Sequence, residues 1–144
     1  MTIRILLVDD FEPWRRLVWS MVQEKRELQI ICEVADGLAA VQKVEELKPD
    51  LILLDLGLPK LHGIAVARKI SSLTPKSKIL FLSQESSADI VREALGIGTG
   101  FVLKADAGKE LLPAIKSVIL GRQFLSSRLV GCAFSEVVEA VDSA

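Results

Sequence analysis

The sequence predicts an open α/β fold: five βα units doubly wound around a parallel sheet, a three-layer sandwich with helices on both faces. Three observations carry this. Short apolar runs alternate with longer segments whose apolar residues recur three and four apart. Several runs, such as Leu51–Leu54, are apolar almost without alternation, the pattern of parallel strands covered on both sides. Four runs also end in a polar residue. Ile3–Val8 leads into Asp9-Asp10, Leu51–Leu54 into Asp55, Ile79–Leu82 into Ser83, and Phe101–Leu103 into Lys104. The carboxyl ends of parallel strands share one edge, where open α/β sheets bind ligands.

The elements follow in order. Strand Ile3–Val8 precedes a helix with Pro13 in its first turn and an apolar stripe of Trp14, Leu17, Val18, Met21 and Val22. Strand Ile30–Ala35 leads to the N-cap candidate Asp36 and a stripe of Leu38, Val41, Val44 and Leu47. Lys48-Pro49-Asp50 breaks the chain before Leu51–Leu54, and Thr74-Pro75-Lys76 does so before Lys78–Leu82. Between them, Ile64, Ala67, Ile70 and Leu73 mark a third helix. Ile90, Val91, Ala94 and Leu95 mark a fourth, ahead of strand Gly100–Leu103. A fifth helix is expected from the N-cap candidate Asp106 through Leu111, Leu112, Ile115, Val118 and Ile119 to Gly121. Pro113 lacks an amide and predicts a kink near the start of that helix. Right-handed crossovers join such units. Residues 1–121 thus read as one domain and 122–144 as a tail or linker, turn-like near Gly121–Ser127 with a short helix over Phe134–Val141.

Composition narrows the function. A chain of 144 residues, half of them hydrophobic, has one core and is not a disordered protein. A net charge of −1 gives no reason to expect direct nucleic-acid binding by this domain. Cys32 and Cys132 have no disulfide or zinc spacing and read as reduced core thiols. The first apolar run is too short for a signal peptide, and none approaches the roughly 20 residues of a membrane span. The expectation is a soluble, cytoplasmic protein.

The residues at the strand ends suggest a chemistry. Adjacent carboxylates Asp9-Asp10 with Asp55 from another strand suit a hard divalent cation, best magnesium. Alone, Asp9-Asp10 reads equally well as a solvated turn with a capping acid. Asp55, placed where core is expected, needs a partner, and Lys104 can supply one along its apolar stem. Three carboxylates, one ammonium and a divalent cation sum to about zero. A phosphoryl group on Asp55 would shift the sum to about −1, with Ser83 and Lys104 as the available donors. Movement of the Ser83 hydroxyl toward that group would drag the loop after its strand, turning a charge change into a shape change.

Together, Asp9-Asp10, Asp55, Ser83 and Lys104, with Leu58-Pro59 and Gly63, resemble the receiver domains of bacterial two-component response regulators. Glu93–Lys104 and Gly121–Ser126 are most similar to the NarL/FixJ type, whose members usually continue into a DNA-binding helix-turn-helix domain. The resemblance covers about residues 3–121 and implies a flavodoxin-like sheet in the order 2-1-3-4-5. It implies Asp55 as phosphoacceptor, Asp10 as a direct magnesium ligand and Asp9 as one acting mostly through water. It further gives Asp55 and the Gly57 backbone carbonyl to the metal, the switch role to Ser83 and the phosphoryl-binding role to Lys104. The partner implied is a sensor histidine kinase, with a homodimer possible and transcription regulation as the usual output.

Several positions depart from the family. Phe101 stands where many receivers carry a switch tyrosine, so gating must work by packing alone. Gln84 replaces a commonly small residue, and Gly57 and Glu85 occupy positions that tune dephosphorylation. The residues after Gly121 are too few for a helix-turn-helix, which leaves a stand-alone receiver and a piece of a longer protein both open. Two other functions compete: a pseudo-receiver that only binds partners, and an aspartyl-nucleophile phosphohydrolase. The latter typically needs an acid two residues beyond the nucleophile, where this chain has Gly57. The domain is not read as a dedicated enzyme. His62 is expected to be a loop residue, Trp14 to lie near the metal, Trp19 in the core, and Arg15-Arg16 and Lys25-Arg26 on the solvated face of the first helix.

Overall fold

A computed structural model describes residues 2–85 and 87–130. Five βα units follow one another: β1 (Ile3–Val8), α1 (Glu12–Val22), β2 (Leu28–Val34), α2 (Gly37–Leu47), β3 (Leu51–Asp55), α3 (Gly63–Leu73), β4 (Lys78–Ser83), α4 (Ala88–Leu95), β5 (Gly100–Leu103) and α5 (Ala107–Ile119). A 3-10 turn, Lys104–Asp106, joins β5 to α5. The expected sheet order is present and gains a member, because β6 (Phe124–Leu125) pairs in parallel with β5 to give 2-1-3-4-5-6. A single helical turn, α6 (Ser127–Leu129), follows.

Strand alternation divides the core into two layers. Leu6, Val8, Ile52, Leu54, Phe81 and Phe101 face one way, against Ala40, Val44, Val66, Ile70 and Val91 of α2, α3 and α4. Ile5, Leu7, Leu51, Leu53, Leu80 and Val102 face the other, against Val18, Val22, Leu111, Ile115 and Val118 of α1 and α5. All of these are buried, and each Leu, Ile or Phe so placed contributes about 1.5–3 kcal/mol. β3 and β4 need apolar residues on both faces, which explains their lack of alternation.

Local signals set the boundaries. Pro13 lies in the first turn of α1. Asp36 caps α2 by accepting a hydrogen bond from Ala39 N at 2.8 Å. His62 is the N-cap of α3, its Nδ1 accepting from Ile64 N at 3.2 Å. Gly121, with φ of +82°, ends α5 in the left-handed region that glycine enters without strain. Pro113 sits on the exposed side of α5, which runs unbroken through it.

Other expectations need correction. Asp106 occupies the N-cap position of α5, but its side chain makes no capping bond; Oδ1 instead pairs with Arg128 Nη2 at 3.0 Å. Trp19 is not core: it is 38% exposed, with Nε1 donating to Glu33 Oε2. Arg15 is not solvated, because it folds back to donate to the Asp9 carbonyl at 2.7 Å and to Glu33 at 3.0 Å. Arg16 is exposed as expected, whereas Lys25 and Arg26 are exposed in the turn after α1. Cys32 is a free, half-buried thiol at the edge of the core. Cys132 and the expected helix over Phe134–Val141 lie outside the described residues.

Candidate phosphoryl and metal site

Register brings the chemistry together. Val8 is paired with Leu54, Asp55 with Leu82, and Ser83 with Leu103. The residues that follow β1 and β5, and those that end β3 and β4, therefore emerge at nearly the same height. Asp9, Asp10 and Asp55 each place a carboxylate oxygen within 4.8 Å of the others. A cavity of about 390 Å³ opens over them, lined also by Phe11, Gly57, Ser83, Gln84, Glu85 and Lys104.

Each carboxylate has a different environment. Asp9 is buried, its Oδ1 accepting from Phe11 N at 2.9 Å and its Oδ2 from Lys104 Nζ at 2.6 Å. Asp10 is exposed at the cavity mouth. Asp55 is 7% exposed, and Lys104 Nζ is 3.6 Å from its Oδ1. Burial pushes the Asp55 carboxyl above the usual range, and the negative charges of Asp9 and Asp10 push it the same way. Lys104 and the Gly57 amide oppose them without prevailing. Lys104, expected chiefly as the partner of Asp55, thus makes its shorter contact with Asp9.

Two sequence features shape the floor. Gly63 N donates to the Leu56 carbonyl at 2.9 Å, folding the loop after β3 back on itself. A Cβ on Gly63 would meet Leu56 Cα at 2.5 Å, so only glycine fits there. Gly57, by contrast, has open space where a side chain would project. Ser83 is buried at the end of β4, and its Oγ accepts from Glu85 N at 2.9 Å. Phe101 is wholly buried and packs against Phe81 with ring centroids 6.3 Å apart.

Three neighbours escaped the sequence reading or were placed only loosely by it. Trp14 lies beneath Lys104, whose Nζ is 5.1 Å from the ring centroid, a cation–π geometry. Arg15 ties α1 to the backbone of Asp9. Phe11, 60% exposed, stands at the cavity wall directly after the acidic pair. An apolar residue following two acids was the available signal for Phe11. No local pattern marks Arg15, whose partners are Asp9, just after β1, and Glu33 on β2.

The response regulator receiver domain family matches residues 5–116. The chain belongs to this family. The receiver is 30% identical to the transcriptional regulatory protein LnrK of Bacillus subtilis over 135 residues, 93% of this chain and 61% of that protein. It is 35% identical to a putative transcriptional regulator of Pseudomonas aeruginosa over 82% of this chain and 57% of that one. The chain thus spans about 60% of the length of these relatives. Among solved structures, a LuxR-family two-component response regulator from Aurantimonas superposes with a TM-score of 0.89 at 27% identity. That match covers 96% of this chain and 99% of the other. The receiver domain of the putative response regulator NarL from Mycobacterium tuberculosis gives 0.79 at 29% identity over 84% and 98%. The fold is the flavodoxin-like receiver fold, with its sixth strand added at the β5 edge.

Proposed function

We propose that this receiver is a phosphorylation-controlled switch in which Asp55 takes a phosphoryl group from the phosphohistidine of a sensor histidine kinase. One observation carries the reading. The Asp55 carboxylate lines a cavity of about 390 Å³, roomy enough for a phosphoryl group, together with the Asp9 and Asp10 carboxylates and the Lys104 ammonium, 3.6 Å from Asp55 Oδ1.

The residues fit a magnesium ion, because the donor set is entirely carboxylate oxygen and its members converge from two strands. Asp10 and Asp55 are the proposed direct ligands with the Gly57 carbonyl, and Asp9 acts mostly through water. When bound, the ion supplies charge neutralisation for the transferring phosphoryl oxygens. The chain supplies the rest. Asp55 Oδ attacks phosphorus in line, its O–P bond forming as the P–N bond to the histidine breaks and the electron pair stays on nitrogen. Lys104 turns from Asp9 toward the new phosphoryl oxygens. The Ser83 hydroxyl, now bound to the Glu85 amide, is released to donate to another. That exchange frees the loop after β4, and Phe101, lacking a phenolic oxygen, follows by repacking against Phe81. Gly57 stands at the position where aspartyl phosphohydrolases need an acid, which argues for a switch over a dedicated phosphohydrolase. Self-phosphorylation and self-dephosphorylation are the only catalysis proposed.

The output proposed is transcription regulation through a separate domain, since the chain covers about 60% of relatives described as transcriptional regulators. Direct nucleic-acid contact by the receiver is not part of the proposal, given its net charge of −1. Homodimerisation on phosphorylation is. Among the described residues no helix is long and apolar enough to cross a membrane, and the proposed site of action is the cytoplasm. The test is labelling with acetyl phosphate and magnesium: the wild type gains one phosphoryl group, and Asp55→Asn gains none. Labelling that survives Asp55→Asn would refute the assignment.

A further inference from the structure

Segment 124–129 is fastened to the very turn that carries Lys104. Phe124 N and Ser126 N donate to the carbonyls of Thr99 and Phe101 at 3.1 and 3.0 Å, extending the sheet by one short strand. The next amide along that edge, Leu103 N, finds a side chain instead: it donates to Ser126 Oγ at 2.7 Å. The Ser126 hydroxyl, wholly buried, donates in turn to Glu110 Oε1 at 2.6 Å. The other oxygen of Glu110 accepts from both Ser127 N and Ser127 Oγ at 3.0 Å. Arg128 grips the far end of the turn through Asp106. Leu103 and Asp106 bracket Lys104, so the segment after α5 holds the lysine's backbone from both sides.

We infer that Ser126 is a positioning residue for Lys104, through which docking of segment 124–129 and occupation of the phosphoryl site are reciprocally coupled. A buried hydroxyl that accepts from one group and donates to another has no slack, since each bond it makes constrains the other. Leu103 immediately precedes the residue whose ammonium must shift from Asp9 toward Asp55. If the shift moves the Leu103 amide, Ser126 and Glu110 must follow, and the segment leading on from the receiver feels the change. By linkage, anything that holds the segment also biases Lys104. The inference rests on the phospho-switch reading and adds to it a route out of the crevice that does not depend on repacking of the Phe101 ring.

The test uses beryllofluoride with magnesium as a phosphoryl probe on the whole chain, with binding read by titration and amide exchange followed at residues 124–129. The wild type is expected to bind the probe and to change exchange at 124–129 on binding. Ser126→Ala is expected to weaken binding about fivefold. Arg128→Ala is a second variant that cannot compromise the core, because that side chain is 66% exposed. It loosens the same turn and is expected to weaken binding about twofold. Equal affinity in the wild type and both variants, with faster exchange in the variants alone, would show a merely structural clamp and overturn the inference. Failure of the wild type itself to bind the probe would strike the phospho-switch reading instead, a distinct result.

Discussion

Lys104 Nζ lies 2.6 Å from Asp9 Oδ2 and 3.6 Å from Asp55 Oδ1. The ammonium is therefore committed to the acid beside the proposed phosphoacceptor, held there by a buried ion pair and by the Trp14 ring below it. This arrangement leaves Asp55 the less compensated of the two charges, which agrees with its raised pKa.

Removing the lysine alone should be costly. Lys104→Met strands the Asp9 carboxylate, whose side chain is 1% exposed, and is expected to destabilise the fold by about 2–4 kcal/mol. Thermal melting should fall by roughly 10 °C. Adding Asp9→Asn removes the stranded charge, so the double variant should recover at least half of the loss. A double variant no more stable than Lys104→Met would show that the pair is not the source of the effect.

Asp55 should behave in the opposite sense. Its folded carboxyl releases the proton at higher pH than an unfolded one, so the folded state carries a penalty at neutral pH. The penalty fades as pH falls through the raised pKa and vanishes below the unfolded value. In metal-free buffer, Asp55→Asn should melt a few degrees above wild type at pH 7, roughly 2–5 °C, with the gap closing toward pH 4. Melting curves across that range check the sign. A variant that is less stable at pH 7 would contradict it.

Trp14 offers a built-in reporter. In a Trp19→Phe background, magnesium is expected to change Trp14 emission saturably as the charge balance around Lys104 shifts. Asp10→Ala should raise the concentration needed at least tenfold. A flat titration in the parent would favour a receiver that binds partners without metal.

Glu110 has its own acid limb. Burial raises its pKa, but the hydrogen bonds from Ser126 and Ser127 outweigh burial and hold it below the usual range. Its contribution is therefore full above the unfolded pKa and is lost as pH falls through the folded one. The stability difference between wild type and Glu110→Gln should accordingly be largest at neutral pH and shrink on acidification below about pH 4. Calorimetric scans at stepped pH measure it.

What was legible in the sequence was whatever repeats or ends abruptly. The strands and helices of the first 121 residues follow from apolar runs and stripes, and the crevice follows from the residues terminating those runs. What was hidden depends on single long-range partners. β6 is two residues long and has no period to detect; only bonds to Thr99 and Phe101 make it a strand. Arg15 looks like half of a surface pair until α1 lies over β1 and brings it to the Asp9 carbonyl. Trp19 is a large aromatic expected in the core, but it turns its indole toward Glu33. Asp106 has a capping residue's position, yet Arg128, remote in sequence, claims its carboxylate.

The brevity of β6 has a consequence for handling the protein. Without residues 124–125, β5 would present a bare backbone edge flanked by Gly100–Leu103, four buried residues of which three are large and apolar. Such an edge is a template for pairing with other chains. A version shortened at Gly121 would keep every residue of the crevice and still invite aggregation. Two residues of strand thus act as a seal on the sheet, too short to recruit a neighbour and long enough to keep one out.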